Sequence, residues 1–294
     1  MEQQTQKQPK VLSKATQAQQ SIMTTYKKTI WGKFTSAIKE YNLIEEGDKI
    51  AVCISGGKDS FLLATLLKNL KKYGKNNFEL VFLSIDPGYN PFNRKILEDN
   101  AKLLEIDLEI VDVNIFDYVA SIKEGSPCYV CARMRRGWLY SAAKNLGCHK
   151  IALGHHFDDV VETTLLSMLY NGQFKTMPPK LFSDNFENMQ LIRPLYKVRE
   201  KDILNWKNQN NLLFQNCGCR FVEICERDGT KSDSSKRKQV KNLIAQLEQT
   251  NPIFANNIFN SIHNVNLDTL IGWQQDGTKH NFLDNFDNKK SKKN

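Results

Sequence analysis

The sequence predicts an α/β protein, a Rossmann-like doubly wound parallel sheet with helical additions at its N- and C-terminal ends, and three observations carry that prediction. Short apolar runs alternate with longer amphipathic ones over about a hundred residues, the pattern of parallel strands joined by helices that cross both faces of a sheet. The first run, Ile50-Ala-Val-Cys-Ile54, breaks at once into Ser55-Gly56-Gly57 and then into the leucine-rich stretch Phe61-Leu-Leu-Ala-Thr-Leu-Leu67, so a buried strand, a tight turn and a helix follow without a linker. Later runs, Phe78 to Ile85, Leu108 to Val113 and Cys148 to Leu153, read as further strands.

Taken in order, residues 1 to 20 are rich in Gln and Lys and hold too few apolar side chains to offset chain entropy, so a disordered tail is expected. Across 21 to 46, Trp31, Phe34, Ile38 and Tyr41 recur at helical spacing with Lys27, Lys28, Lys33 and Lys39 between them, which predicts one amphipathic helix before the first strand. Its lysines fit a solvated face first, with contacts to RNA phosphate the lesser reading. The main domain is expected over 47 to 225. It includes a helix around Lys95 to Leu104 and another whose stripe is Val160, Val161, Thr164, Leu165, Met168 and Leu169. From Asn171 to Phe182 the chain turns irregular, because Gly172, Pro178 and Pro179 break any helix. A strand near Gln190 to Ile192 and a helix from Glu200 to Asn208 complete the domain. A helical region is expected over 226 to 274, opening with a polar loop at 226 to 235 and carrying two packed helices around Leu243 and Ile258. Residues 275 to 294, with Lys289, Lys290, Lys292 and Lys293, read as a basic tail.

Composition narrows the class. The 294 residues are 40% hydrophobic, 10% aromatic and 25% charged, which excludes a fibrous or wholly disordered chain. A formal charge of +9 is compatible with a polyanionic partner without distinguishing RNA from a solvated surface. No apolar stretch reaches the length of a membrane span and the N-terminus is polar, so a cytoplasmic protein with no membrane partner is expected. Seven cysteines, an odd number, argue against a disulfide framework in that compartment.

Three constellations carry chemistry. In the first, Gly56 and Gly57 remove side chains where the backbone turns, so successive N–H groups and the N-terminus of the following helix can meet one anion. Two glycines after a strand are often an ordinary turn, but Ser55, Lys58, Asp59 and Ser60 packed around them point to nucleotide phosphate. Lys58 can neutralise the β and γ phosphates, and Asp59 can hold magnesium or simply start a helix. Ile85 and Asp86 end a strand at the sheet's carboxyl edge, where they would flank the adenine.

The second constellation, Gly154-His155-His156-Phe157-Asp158-Asp159, also lies between a strand and a helix. Its carboxylates suit metal binding or transition-state positioning, or a helix cap, and its histidines suit nucleotide or backbone contacts better than zinc. The third is Cys128-Tyr-Val-Cys131 with Ala-Arg-Met-Arg135-Arg136 downstream and Cys217-Gly-Cys219 much later. Such thiols serve one metal centre, a dithiol redox pair or a zinc knuckle. An iron-sulfur cluster held by three of them would leave one iron open to an exogenous sulfur ligand. Cys53 and Cys148, inside or beginning strands, are expected to be buried and inert.

Ser55-Gly-Gly-Lys-Asp-Ser60 resembles the PP-loop of the ATP pyrophosphatases, which have an adenine nucleotide alpha hydrolase-like fold. Together with Cys128-x-x-Cys131-x-Arg-x-Arg-Arg136, Ala152-Leu-Gly-His-His-x-Asp-Asp159, Met177-Pro-Pro-Lys-Leu181, Arg193-Pro-Leu195 and Arg199-Glu-Lys-Asp-Ile203, the chain resembles the tRNA 2-thiocytidine synthetase (TtcA) family from about residue 30 to residue 265. The resemblance implies an enzyme that uses ATP and Mg2+ to adenylate the C2 oxygen of cytidine 32 in the tRNA anticodon loop. Sulfur delivered on a [4Fe-4S] cluster then replaces that oxygen. It further implies Asp59, Arg135 and Asp159 as catalytic residues, Cys128, Cys131 and Cys217 as cluster ligands, and Ser55 to Ser60 with Gly154 and His155 as nucleotide contacts. A homodimer and a sulfur donor such as a cysteine desulfurase are implied as partners beside tRNA. The family's distal Cys-x-x-Cys is Cys217-Gly-Cys219 here, so either sulfur could be the third ligand, with sequence order favouring Cys217. The polar insertion after Cys225 replaces a short link. Two other readings stand beside this one: another PP-loop tRNA enzyme, acting on a different thiolated base or resembling lysidine synthetase, and a non-catalytic zinc-bearing RNA-binding protein.

Overall fold

A computed structural model describes residues 12–120, 127–215 and 233–286, which divide after Lys241 into two compact units. The first unit opens with helix α1 (Lys14–Met23), which corrects the expectation of disorder through residue 20. Averaged composition hid a short apolar stripe: Ala15, Ala18 and Ile22 are buried, and the Ser13 side chain caps the helix by accepting the Thr16 N–H. The predicted single helix over 21 to 46 is also interrupted. A π turn spans Lys27–Trp31, where the Trp31 N–H reaches the Tyr26 carbonyl at 3.1 Å, before α2 (Gly32–Glu40) resumes. The wider turn rotates the stripe, so Ile30, Phe34 and Ala37 enter the core while Trp31, Ile38 and Tyr41 are half-buried.

The alternation of strand and helix is observed as predicted: β1 (Lys49–Cys53), α3 (Lys58–Tyr73), β2 (Glu79–Asp86), α4 (Pro91–Leu103), β3 (Leu108–Asp112), α5 (Ile115–Ala120), α6 (Pro127–Asn145), β4 (Lys150–Ala152) and α7 (Phe157–Asn171). After them come β5 (Lys180–Phe182), β6 (Gln190–Ile192) and α8 (Glu200–Gln209). The sheet order is β3-β2-β1-β4-β6-β5, parallel except for β5, which pairs antiparallel with β6 at the edge. β5 arises inside the stretch expected to be irregular; three residues are too few to show a period of two.

Side chains of β1 alternate between two cores. Ile50 and Val52 pack with Phe61, Leu62 and Leu66 of α3 and with Ile203 and Trp206 of α8. Ala51 packs on the opposite face with Leu83, Ile85 and with Leu139, Tyr140 and Ala143 of α6. Each fully buried leucine or phenylalanine contributes about 1.5–3 kcal/mol, so Leu66→Ala would cost roughly 2–5 kcal/mol. Behind the β1–β4 seam the buried Lys150 ammonium is held by Asp48 at 2.7 Å and Glu45 at 3.2 Å.

Helix α9 (Asp233–Thr250) begins inside the predicted polar loop, whose residues 226–232 lie outside the described ones, and its last turns belong to the second unit. That unit also holds α10 (Phe254–Ser261) and a hairpin of β7 (Gly272–Gln275) and β8 (Thr278–Asn281). The hairpin corrects the basic tail from 275. Asp276 and Gly277, both at positive φ, form the two-residue turn such a hairpin demands, and Trp273 stacks on His280 at 5.1 Å. Among the described residues no helix is long and apolar enough to cross a membrane.

Candidate active site

From β1 the chain winds outward to β2 and β3 and then crosses to β4, so the order reverses between β1 and β4 and a crevice opens at their carboxyl ends. The glycine turn follows β1. Gly56 has φ +88°, and a Cβ there would lie 2.9 Å from Gln215 Oε1. Ser60 closes the loop: its hydroxyl donates to the Gly57 carbonyl at 2.9 Å and accepts the Ser55 N–H at 3.2 Å. Lys58 and Asp59 thereby occupy the first turn of α3, with Lys58 Nζ 3.1 Å from Asp59 Oδ2 and 3.2 Å from Glu200 Oε1.

The second constellation follows β4. Gly154 passes so near the glycine turn that a Cβ would sit 3.1 Å from the Ser60 nitrogen and from the Asp59 carbonyl carbon. His156 caps α7: its Nδ1 accepts the Asp159 N–H at 3.4 Å, while its own N–H donates to Asp159 Oδ2 at 2.9 Å. That bond leaves hydrogen on Nε2, which lies 3.5 Å from Asp159 Oδ2 and 3.9 Å from Asp59 Oδ1. Asp158 turns elsewhere. It accepts from Arg199 Nε at 3.0 Å and from the Glu200 N–H at 2.6 Å, and so caps α8.

These residues enclose a cavity of about 630 Å³ lined by Ser55, Lys58, Asp59, Ser60, Gly154, His155 and Asp159, with Glu162, Glu200, Arg237 and Lys241 completing the wall. Among the described residues, Asp59 Oδ1 and His155 Nδ1 are buried there without a hydrogen-bond partner, which is what a site awaiting a metal-bound polyphosphate would present. Burial would raise Glu200, but the hydrogen bond from Lys241 and the charge of Lys58 hold its carboxyl down at about 2. Burial does raise Glu162, only partly offset by Arg237. Burial also lowers His155 to about 4, against the opposing charge of Asp159, so its imidazole is neutral at physiological pH.

A second cavity of about 290 Å³ shares Cys53, Leu153 and His155 with the first and adds Ile85, Arg135, Arg136, Tyr140 and apolar side chains of α6. Arg135 Nη2 donates to the Tyr89 hydroxyl at 3.1 Å. Asp86 is not brought here: its carboxylate accepts the Gly88 and Tyr89 N–H groups and Arg94 beside a separate depression. Cys53 is half-buried and lines both cavities; burial raises its thiol to about 11 against the charge of Arg135, which keeps it protonated and inert as expected, though not sealed in the core. Cys148 is buried as expected, and Cys131 is a buried thiol packed with Ile115, Phe116 and Val119. The Cys128 side chain, Cys217, Cys219 and the insertion after Cys225 lie outside the described residues.

Two stretches that looked like separate motifs are contact partners. Arg193 donates to the Pro178 carbonyl through its side chain and to the Pro179 carbonyl through its N–H, and the Tyr196 hydroxyl donates to Met177. Glu162, Glu200, Arg237 and Lys241 were not singled out from sequence as site residues. Only Glu200 had a signal, inside Arg199-Glu-Lys-Asp-Ile203.

A nucleotide-sized cavity over a glycine turn at the switch point of a parallel sheet defines a PP-loop protein, and residues 26–217 match the PP-loop domain family. Relatives named tRNA-cytidine(32) 2-sulfurtransferase align over most of the chain. The Aliivibrio fischeri (strain MJ11) protein is 38% identical over 256 residues, 86% of this chain and 80% of its own length. One from Vibrio cholerae is 37% identical over 252 residues, 85% and 78% of the two chains. The chain belongs to the tRNA-cytidine(32) 2-sulfurtransferase family. Among solved structures, the U34-tRNA thiolase NcsA from Methanococcus maripaludis, with its [4Fe-4S] cluster, superposes with a TM-score of 0.61 at 22% identity, covering 79% of this chain and 76% of that one; the likeness is one of fold.

Proposed function

We propose that this chain is an ATP-dependent tRNA sulfurtransferase that converts cytidine 32 of the anticodon loop to 2-thiocytidine, acting in the cytoplasm as a homodimer supplied by a sulfur donor such as a cysteine desulfurase. The observation that carries the reading is the approach of Asp59 and Asp159 to one imidazole, 3.9 and 3.5 Å from His156 Nε2, in a cavity that shares lining residues with the one bearing Arg135. In this reading the glycine-turn N–H groups, Ser55, Ser60 and Lys58 receive the triphosphate. Asp59 and Asp159 hold magnesium, whose charge offsets that of the phosphates. The apolar wall around Ile85 takes the adenine, His155 offers a neutral imidazole at the junction of the cavities, and Arg135 stabilises negative charge at the α phosphate as the C2 oxygen attacks. Asp86 serves the Tyr89 turn. Adenylation makes that oxygen part of AMP, a good leaving group.

Cys128 and Cys131 are one turn apart in α6, and Gln215 seats against the glycine turn two residues before Cys217. This donor set fits a [4Fe-4S] cluster with three protein ligands, which when bound supplies an iron able to hold the incoming sulfur. Nucleoside analysis of tRNA from cells lacking the gene tests the proposal: 2-thiocytidine should vanish and return with the wild-type gene. Unchanged 2-thiocytidine, or loss of a different thiolated base, would overturn the assignment.

A further inference from the structure

The wall of the phosphate cavity opposite the glycine turn is built by α9, which the reading above does not use. From this helix Arg237 enters the cavity, its Nη2 2.5 Å from Asp159 Oδ1 and its Nε 2.8 Å from Glu162 Oε2. One turn further, Lys241 Nζ lies 2.5 Å from Glu200 Oε2, and the other oxygen of that carboxylate holds Lys58. Positions 237 and 241 share a helix face, and both side chains line the cavity with Lys238. The cavity thus sets the cations Lys58, Arg237, Lys238 and Lys241 against the carboxylates Asp59, Asp159, Glu162 and Glu200.

That balance has a chemical meaning. Four cations facing one cavity suit a polyanion, yet in the free protein three of them, Lys58, Arg237 and Lys241, are occupied by acids. Asp159 is an acid that the nucleotide reading turns toward magnesium. With Asp159 so engaged, Arg237 gives up one partner and presents a planar fork of N–H donors into the volume beside Lys58. A phosphate oxygen entering there replaces a carboxylate, so no cation is left unpaired in a half-buried site.

We propose that α9 supplies the second half of a phosphate clamp, in which Arg237 and Lys241 hold the β and γ phosphates of the nucleotide opposite the glycine turn. The inference rests on the nucleotide reading of this cavity and adds a prediction about which part of the nucleotide is gripped. The clamp holds the portion that departs as pyrophosphate, and it makes no contact with AMP alone. In the free protein Asp159, Glu162 and Glu200 keep the cationic side chains pointed inward.

Calorimetric titration of the full-length protein with Mg-ATP, pyrophosphate and AMP tests this, for wild type, Arg237→Ala, Arg237→Lys and Lys241→Ala, with a thermal melt for each. Arg237→Ala should lose roughly tenfold or more in affinity for ATP and pyrophosphate while AMP affinity stays within about twofold. Arg237→Lys should recover part of the loss, because the charge remains and the fork does not. If Arg237→Ala fails to fold, Arg237→Lys and Lys241→Ala carry the same comparison. Unchanged ATP affinity in the folded variants overturns the clamp, and so does an equal loss for ATP and AMP, which would mark Arg237 as a brace for the fold. A wild-type protein that binds neither ATP nor pyrophosphate would remove the nucleotide reading itself, and the clamp with it.

Discussion

Asp59 and Asp159 both stand in the first helical turn of two adjoining strand-turn-helix units, as the second residue of α3 and the third of α7. The β1–β4 register pairs Ile50 with Lys150 and Val52 with Ala152, and the same offset of one hundred residues carries into the first turns of α3 and α7. Backbone pairing across the sheet, at the usual strand spacing of about 4.8 Å, therefore sets where the two carboxylates start. His156 Nε2 lies between them in space, 3.9 Å from Asp59 Oδ1 and 3.5 Å from Asp159 Oδ2.

Asp158 and Asp159 should respond oppositely to the same substitution. Asp159→Asn keeps an oxygen for the His156 N–H but gives up the pair with the half-exposed Arg237, so stability should fall by about 1–2 kcal/mol, while magnesium- and tRNA-dependent AMP release drops roughly a hundredfold. Asp158→Asn weakens the cap of α8 and the Arg199 contact, costing about 1–3 kcal/mol, with activity per folded molecule kept within about threefold. Denaturant melts and an AMP-release assay measure both; the reverse ranking would refute the division of labour.

Glu200, held at about 2, is a carboxylate whose pKa is depressed below the 4.5 of an ordinary Glu. It contributes stability that is fully present above its unfolded value and is lost as pH falls from about 4.5 toward 2. Glu200→Gln should thus be less stable than wild type at pH 7, by on the order of 2–3 kcal/mol, and the gap should narrow at pH 3.5. Denaturant titrations at the two pH values check it, and a gap independent of pH would exclude Glu200 as its source.

His155 gives a second window. Its folded value near 4 lies below the 6.5 of a free imidazole, so between those values the unfolded chain takes up a proton that the folded chain refuses. Stability should decline as pH drops through this range, by up to about 1.4 kcal/mol per unit from this group. His155→Gln should flatten the slope between pH 7 and pH 5. Parallel stability curves for the two proteins would contradict the burial argument.

Much of the site was legible because its residues sit next to secondary-structure punctuation. Gly56-Gly57 and Gly154-His155 stand where apolar runs stop, and the doubly wound fold brings such stops to one edge. Other features were hidden for physical reasons. Arg237 meets Asp159 across 78 residues, and an arginine in a lysine-rich helix looks like a solvated charge until its tertiary partner is known. Helix α6, which carries Cys131 and Arg135, mixes arginines with its apolar face and so shows a weak helical period. Asp158 and Asp159 are the same residue type side by side, and their tertiary partners, Arg199 and the Glu200 N–H for one and Arg237 for the other, distinguish cap from cavity.

Cys128→Ala should abolish 2-thiocytidine formation and remove iron and labile sulfide from anaerobically purified protein, while Mg-ATP affinity stays within about twofold. Cys148→Ala, a buried thiol packed on the α6 face of the sheet, should keep the iron. Iron and sulfide analysis beside nucleoside mass spectrometry separates the two. A colourless zinc-containing wild type would favour the RNA-binding alternative.

The ring of Phe61, on the helix that leaves the glycine turn, stacks on Phe214 at 5.2 Å, and Phe214 stacks on Trp206 at 6.4 Å. Trp206 in turn donates its indole N–H to the Ala18 carbonyl at 3.3 Å, and Asn210 ties to Ser21. The amino-terminal helix is therefore a backstop for the phosphate-binding one. Trimming the chain to residue 21 on the strength of its polar composition would take away that support and loosen nucleotide binding from the far side of the core.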